Sequence, residues 1–184
     1  MTHPLSLVSP GTLAQTAAAR VALRAPCARL SLRARGDLAP LDAALGLPLP
    51  RQIGQRAGTD GREALRLGPD EWVLLDAPDR AAAIEAACAA IYDTAPHSLV
   101  DISGREVTFG IDGPRAVDLM TLGMARDPDS IAPGSGRRTA FDGVTVVLWR
   151  DGDTAFRMDV WHSFAPHVLH LLETGCRELA AETV

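Results

Sequence analysis

The sequence predicts an α+β protein with antiparallel sheets, built from two similar units. Residues 28–92 and residues 105–175 each pass from a strand to a helix, then through a glycine-rich loop to a hairpin and a second helix. We expect the second unit to have one strand more than the first. Asp142-Gly143 separates two alternating runs there, and Asp-Gly between such runs is a strong hairpin signal. Helices packed on one face of antiparallel strands give the α+β class.

The N-terminal residues are expected to form an arm outside a single compact body. Residues 1–20 carry apolar side chains without a clear period, so they either fray or order against another subunit. Deleting them is expected to leave the melting temperature nearly unchanged. Residues 21–184 are expected to form the body, made of sub-units at about 21–97 and 98–184. The apolar partner-contact candidates in the arm are Leu5, Leu7, Val8 and Leu13.

The first unit starts with a strand and ends with a helix. Leucines alternate with arginines over residues 28–36, which is typical of an exposed strand. Asp37 is expected to cap a short helix, and Gly46 to end it in the left-handed conformation that glycine favours. A hairpin then turns at Gly68-Pro69-Asp70, because proline presets the turn angle. A helix over residues 79–92 closes the unit.

The second unit repeats this order with clearer signals. Apolar residues alternate with Thr and Gly over residues 107–111, the period of a strand with one buried face. Asp112-Gly113-Pro114 then predicts a helix start, with Asp or Gly as cap and proline in the first turn. Asp151-Gly152-Asp153 predicts a second tight turn after Asp142-Gly143. Ser163 is expected to cap the closing helix, which has an apolar stripe.

Composition excludes several classes of protein. The net charge of −5 disfavours nonspecific binding to nucleic acid or to an anionic membrane, since both need positive patches. The three cysteines are scattered, which disfavours a disulfide framework and indicates a reducing cytoplasm. No apolar run approaches the roughly 20 residues that span a bilayer. A basic segment followed by an apolar one is missing from the N-terminus, so no signal peptide is expected.

Few residues point to catalysis or metal binding. The GxSxG, HExxH and Walker A motifs and a strand-associated GxGxxG are missing from the sequence. His162, His167 and His170 could converge on a metal, but zinc needs three or four ligands, and exposed histidines beside an apolar stripe are the favoured interpretation. Asp101 could have a raised pKa useful for acid–base chemistry, or could accept hydrogen bonds in a turn with Ser103; the second is favoured.

The remaining candidates point to partner contact. Arg137 and Arg138 open a strand beside a flexible loop and could pair with a ligand anion or with acidic groups of a partner. Trp149 and Trp161 lie on neighbouring strands, where tryptophan serves either an interface or the core. Trp161 and the adjacent His162 are retained as partner-contact candidates. The sequence thus favours a binding or scaffolding subunit and assigns no catalytic, cofactor-binding or metal-binding residue.

Several motifs, in their order and spacing, resemble the gamma subunit of heterotetrameric sarcosine oxidase. That subunit is similar in fold to the aminomethyltransferase (T-protein) of the glycine cleavage system. The resemblance covers the chain from about residue 21 onward. The matching features are the VDIS segment at 100–103, Gly113-Pro114, Asp127, Pro133-Gly134, Ser163-Phe164-Ala165 and LGPDEWVLL at 67–75.

This resemblance implies an accessory subunit that acts in assembly and stability. In the family, the alpha and beta subunits hold FAD, FMN and NAD, and tetrahydrofolate is associated with alpha; no cofactor is expected in this chain. The implied partners are the alpha, beta and delta subunits, with no nucleic acid and no membrane. The chain matches only part of a full aminomethyltransferase, so no folate-binding residue is carried over. The alternatives are a folate-binding one-carbon transfer protein, or the equivalent subunit of another N-methyl amino acid oxidase or dehydrogenase.

Overall fold

A computed structural model describes residues 9–182 and divides them into two compact units. Residues 26–104 form one of them, here called the inserted unit. Residues 9–25 and 105–182 form the other, here called the terminal unit. Each unit holds one antiparallel sheet whose apolar face packs with helices into a core of its own. The predicted α+β class is confirmed.

Eleven strands and four α-helices occur in the described residues. Short 3-10 helices, Pro78–Arg80 and Pro128–Ser130, add to them. In chain order the main elements are β1 (Gly11–Gln15), β2 (Arg20–Leu23), β3 (Ala28–Ala34), α1 (Ala39–Leu45), β4 (Arg56–Thr59), β5 (Arg62–Gly68), β6 (Glu71–Asp76), α2 (Ala81–Ala89), β7 (His97–Asp101), β8 (Glu106–Asp112), α3 (Ala116–Thr121), β9 (Gly136–Phe141), β10 (Val144–Gly152), β11 (Ala155–Trp161) and α4 (Ala165–Ala181).

The two sheets have matching strand orders. The sheet of the terminal unit runs β9-β10-β11-β8-β2-β1, and that of the inserted unit runs β4-β5-β6-β3-β7. The turns predicted at 142–143 and 68–70 are present, whereas the turn predicted at 151–153 lies at 153–154, because Asp151 and Gly152 belong to β10. Asp142 and Gly143 have φ angles of 47° and 77°, and two positive values are what a two-residue type I′ turn requires. The turn at 68–70 joins β5 to β6.

The strands next to each unit boundary do not pair with the strand that follows them in the chain. β2 leads into β3 along the chain, yet it pairs with β8. β7 leads into β8, yet it pairs with β3. The predicted division at residues 97 and 98 therefore differs from the observed boundary after Gly104. Hydrogen bonds between strands distant in sequence set this boundary, and local periodicity does not report them.

The expected arm also differs from the structure in its second half. β1 pairs antiparallel with β2 at the edge of the terminal sheet, with a register shift between Thr12 and Ala14. The hydroxyl of Thr16 donates to the carbonyl of Cys176 in α4 at 3.1 Å. Ala18 and Ala19 are both buried. Residues 11–20 are thus part of the terminal unit, and a weak apolar period concealed a short edge strand.

The predicted helix caps are corrected by the structure. Asp112 does not cap α3; it ends β8 and pairs with Arg20 of β2 at 3.0 Å. Gly113 has a φ of 134°, and a Cβ there would lie 2.7 Å from the Cα of Ala19, so glycine is needed for a close backbone approach. Ser163 does not cap α4, whose N-cap residue is Phe164 without a side-chain bond. Asp37 lies one residue before the N-cap of α1, and its carboxylate accepts from the N–H of Ala39.

The strand predicted to be exposed is an interior strand. β3 lies between β6 and β7, and Arg29 on it is buried along with its leucines. The C=O of Arg29 accepts from the N–H of Ile102 at 2.8 Å. Of the two arginines in β3, Arg33 is exposed and Arg29 is buried, so the alternation did not mark solvent exposure along the whole strand. Gly46, by contrast, ends α1 with a φ of 61°, as predicted.

An arginine near the end of a hairpin strand binds the preceding loop in both units. Arg66 in β5 and Arg150 in β10 each donate Nε to the carbonyl of the glycine two residues later, at 3.0 and 3.3 Å. The backbone C=O of each accepts from a loop glycine with positive φ, Gly54 or Gly134, at 2.8 Å. These shared contacts extend the predicted repeat to hydrogen-bond detail. Within residues 9–182, no helix is long and apolar enough to cross a membrane.

Candidate partner-docking surface

Trp161 lies at the end of β11, where the strand turns into α4. Its side chain is 46% exposed, and so is that of Phe164. The two residues share one turn, because the N–H of Phe164 donates to the C=O of Trp161 at 2.9 Å. The guanidinium carbon of Arg105 lies 5.2 Å from the centroid of the Trp161 ring, within cation–π range. Two exposed aromatic rings beside an arginine form a surface suited to protein contact.

His162 and Glu106 fix the base of this surface. The N–H of His162 donates to the C=O of Arg105 at 3.1 Å, which holds the turn against the start of β8. Its ring Nδ1 is buried and has no hydrogen-bond partner among the described residues. Arg105 donates Nε and Nη2 to Glu106 Oε1, at 3.2 and 2.9 Å. This ion pair fixes the guanidinium beside Trp161.

Arg137 and Arg138 lie on β9, at one edge of the terminal sheet. Arg138 is exposed, and Arg137 is half-buried. The Nε of Arg137 has no acceptor among the described residues. β9 and β11 are separated by β10 alone, so both arginines belong to the same sheet as Trp161.

The apolar candidates in the N-terminal segment separate into two groups. Leu5, Leu7 and Val8 lie outside the described residues. Leu13 lies in β1 and packs partly against the core of the terminal unit. Because Leu13 is only partly buried, part of its side chain stays accessible, and its contact with a partner stays a prediction.

The second tryptophan is a core residue. Trp149 in β10 is fully buried, and its indole Nε1 donates to Asp159 Oδ2 at 2.7 Å. The other oxygen of Asp159 accepts from the hydroxyl of Thr108 at 2.5 Å. Sequence reasoning did not single out Asp159, because a carboxylate alternating with apolar residues on a strand is typical of a solvated face. Its buried hydrogen bonds instead link three neighbouring strands.

His167 and Asp101 have structural partners. Nε2 of His167 lies 2.8 Å from Asp142 Oδ2, which connects α4 to the β9–β10 turn. Among residues 9–182, no three His, Cys, Asp or Glu side chains are placed to hold a metal ion together. Asp101 accepts from the hydroxyl and the N–H of Ser103, at 2.5 and 2.8 Å, and these bonds lower the pKa of Asp101. The structure thus supports the turn interpretation and not a raised pKa.

The buried thiols are poor nucleophiles. Cys88 and Cys176 are almost fully buried, and burial raises the pKa of each thiol above its ordinary value. A thiol with a raised pKa stays protonated at neutral pH, whereas the thiolate is the reactive form.

A basic groove in the inserted unit was not predicted. It has a volume of about 320 Å³ and lies where β3 ends and β7 begins. Arg33, Arg35, Asp70 and His97 contribute its charged and titratable side chains. Asp70 bonds both arginines, and the hydrogen bond from Arg35 lowers the pKa of Asp70. These residues are far apart in the sequence, so only the strand pairing brings them together.

Comparisons with known proteins agree with this architecture. No protein-family model matches the chain. The sarcosine oxidase subunit gamma of Corynebacterium sp. (strain P-1) is 31% identical over 152 residues, covering 81% of this chain and 74% of that subunit. A chain of the heterotetrameric sarcosine oxidase from Corynebacterium sp. U-96 superposes with a TM-score of 0.79 at 26% identity, covering 91% of this chain and 88% of that one.

A more distant likeness concerns the fold alone. The glycine cleavage system aminomethyltransferase T of Bartonella henselae has a TM-score of 0.60 at 14% identity, covering 79% of this chain and 43% of that one. The sequence identity and the superposition of the fold thus both point to the gamma subunit of sarcosine oxidase. On its identity to a sarcosine oxidase gamma subunit over most of both chains, the protein belongs to the sarcosine oxidase gamma subunit family.

Proposed function

We propose that this chain is a non-catalytic accessory subunit of a heterotetrameric sarcosine oxidase and acts in assembly and stability. Such an enzyme would demethylate sarcosine to glycine and transfer the one-carbon unit to tetrahydrofolate. The alpha, beta and delta subunits would be its partners. Alpha and beta would hold FAD, FMN and NAD, and tetrahydrofolate would be associated with alpha. A cytoplasmic location stays a prediction.

The observation that carries this proposal is the exposed aromatic surface of Trp161 and Phe164 beside Arg105. Tryptophan and arginine are enriched among the residues that contribute most of the binding energy at protein interfaces. The turn that holds them is bonded to β8 through His162, so little ordering is needed on docking. Arg137, Arg138 and the N-terminal Leu5, Leu7, Val8 and Leu13 stay predicted secondary contacts.

The chemistry of the described residues is consistent with a role without an active site of its own. The buried thiols are held protonated, and the buried carboxylate of Asp159 is bound by Trp149 and Thr108. The likeness to an aminomethyltransferase shows the fold alone, so we assign no folate-binding residue from it.

Co-expression with the other three subunits tests the proposal. A tagged Trp161→Ala, Phe164→Ala double variant should recover at least tenfold less of the partner subunits than the wild-type chain. The melting temperature of the isolated variant should stay close to that of the wild type, because both side chains are about half exposed.

Ile53→Ala is the matched control, since Ile53 is an exposed apolar residue in a loop of the inserted unit. It should recover the partners normally. Full recovery with the double variant would remove Trp161 and Phe164 from the interface. Failure of the wild-type chain to recover any partner would contradict the proposed function itself.

A further inference from the structure

We propose that β7 is a docking edge to which an extended segment of a partner subunit adds as a further strand. In this arrangement a carboxylate of that segment reaches the groove at Arg33 and Arg35. The inference rests on the proposed function for the existence of a partner subunit. It concerns a different unit from the Trp161 surface.

The strand register determines which backbone groups of β7 point outward. The N–H of Ala34 donates to the C=O of Asp70, so Ala34 directs its backbone groups toward β6. Arg33 then directs its groups toward β7, where it is paired with Ser98. By the same alternation, His97, Leu99 and Asp101 direct their N–H and C=O groups away from β3. Such a row of outward donors and acceptors matches an added strand.

The other three sheet edges are less suited to strand addition. β1 carries a register shift, β4 has four residues, and β9 carries the adjacent Arg137 and Arg138. Irregular register, short length and basic side chains each disfavour pairing at an edge. β7 has five residues in unbroken register and contains no proline, lysine or arginine. β7 is therefore the sheet edge with the fewest features that disfavour pairing with another strand.

Exposed apolar groups accompany this edge. Val100 in β7 is 51% exposed. Tyr92, just before the strand, is 54% exposed and makes an edge-to-face contact with His97, with ring centroids 5.7 Å apart. An added strand would cover Val100 with its own side chains, so apolar contact would add to the backbone hydrogen bonds.

The groove supplies charge complementarity at one end of the strand. The side chain of Arg35 is 86% exposed, and that of Arg33 is 56% exposed. The carboxylates that pair with them, Asp70 and Glu71, have side chains only 20% and 12% exposed. The surface that faces a ligand is therefore formed by guanidinium groups. Arginine presents several N–H donors in a planar group, which suits carboxylate binding.

The occupant is thus an extended polypeptide with apolar side chains and a carboxylate at one end. The carboxylate belongs either to an acidic side chain or to a chain terminus, and both offer the groove the same chemistry. A second copy of this chain, paired through β7 of each, would be the competing occupant.

Hydrogen exchange in the assembled complex tests the edge directly. The amides of His97, Leu99 and Asp101 should exchange at least tenfold more slowly in the complex with the alpha, beta and delta subunits than in the isolated chain. The amides of Ser98 and Val100, which point toward β3, should change far less. Equal exchange of the outward amides in both samples would overturn the proposal.

Substitutions provide a second, independent measurement. Val100→Lys and Arg35→Glu should each weaken recovery of the partner subunits by at least fivefold. Ile53→Lys and Arg126→Glu are the matched controls at exposed positions and should stay within twofold of wild type. If the wild type assembles and Val100→Lys assembles equally well, the edge is not used, while the proposed function stands.

Two further experiments identify the segment that binds at β7. Removing the last three residues of each partner subunit in turn should abolish slow exchange at β7 if a chain terminus fills the groove, and should leave it intact if an acidic side chain does. Light scattering of the isolated chain should give a monomer. A dimer that Val100→Lys dissociates would overturn the proposal in favour of self-association.

Discussion

Arg150 shows how one buried side chain organises a loop. All five of its N–H groups donate hydrogen bonds, and its side chain is 7% exposed. Four of the acceptors are backbone carbonyls, which would lose these donors if Arg150 were replaced. The acceptors are Gly152, Pro128, Ile131, Asp153 and the carboxylate of Asp129.

Replacing Arg150 with methionine should therefore destabilise the protein. Buried carbonyls left without a donor cost on the order of 1–3 kcal/mol each before water compensates, so we expect a loss of about 2–4 kcal/mol in the free energy of unfolding. Urea denaturation measures this quantity. Arg177→Met, at an exposed position of α4, is the control and should change it by less than about 0.5 kcal/mol. A change at Arg150 as small as the control would show that its hydrogen bonds add nothing to stability.

The pKa of Asp101 provides a test at a single carboxylate. The hydroxyl and N–H of Ser103 lower this pKa below its ordinary value. Stabilisation by Asp101 is then fully present above its unfolded-state pKa and is lost as pH falls through the lower folded-state pKa. Ser103→Ala removes one donor, so NMR titration should show the Asp101 pKa rising toward its ordinary value. An unchanged pKa would mean that the Ser103 hydroxyl does not stabilise the carboxylate.

At the level of secondary-structure elements, the turn between β8 and α3 needs glycine for a reason that its sequence does not show. Asp-Gly-Pro is a common helix start, yet Gly113 is required here because its Cα faces the backbone of residues 18 and 19. Gly113→Ala should therefore lower the free energy of unfolding by about 2–4 kcal/mol, since overpacking and a positive φ each cost about 1–3 kcal/mol. Gly104→Ala is the control, because a Cβ there meets nothing within 4 Å. A tolerated alanine at Gly113 would contradict the close approach.

The sequence predicted those elements whose causes are local. Asp142-Gly143 and Gly68-Pro69-Asp70 predicted their turns correctly, because turn geometry depends on the residues in the turn. The exchange of β2 and β7 was not predicted, because it depends on pairing between strands distant in sequence. The docking candidates also differ in whether the sequence alone could predict them. Trp161 was identified by residue type, whereas the groove at Arg33 and Arg35 requires the register of β3 and β7.

At the scale of the whole molecule, we expect the N-terminal segment to stabilise the folded chain. Deleting residues 1–20 removes β1, the start of β2, and the bond from Thr16 to α4. It also removes Ala18 and Ala19 from the core of the terminal unit. The melting temperature of the isolated chain should therefore fall, contrary to what an unstructured arm would give. An unchanged melting temperature by calorimetry would restore the arm interpretation for these residues.

We propose that this member of the sarcosine oxidase gamma subunit family acts by docking to other subunits. Native mass spectrometry of the tagged chain, co-expressed with the alpha, beta and delta subunits of a sarcosine oxidase, measures this docking. We predict one complex that contains all four chains in fixed stoichiometry, and loss of this chain from it in the Trp161→Ala, Phe164→Ala variant. A wild-type chain that is recovered alone, while the other three subunits assemble without it, would contradict the claim.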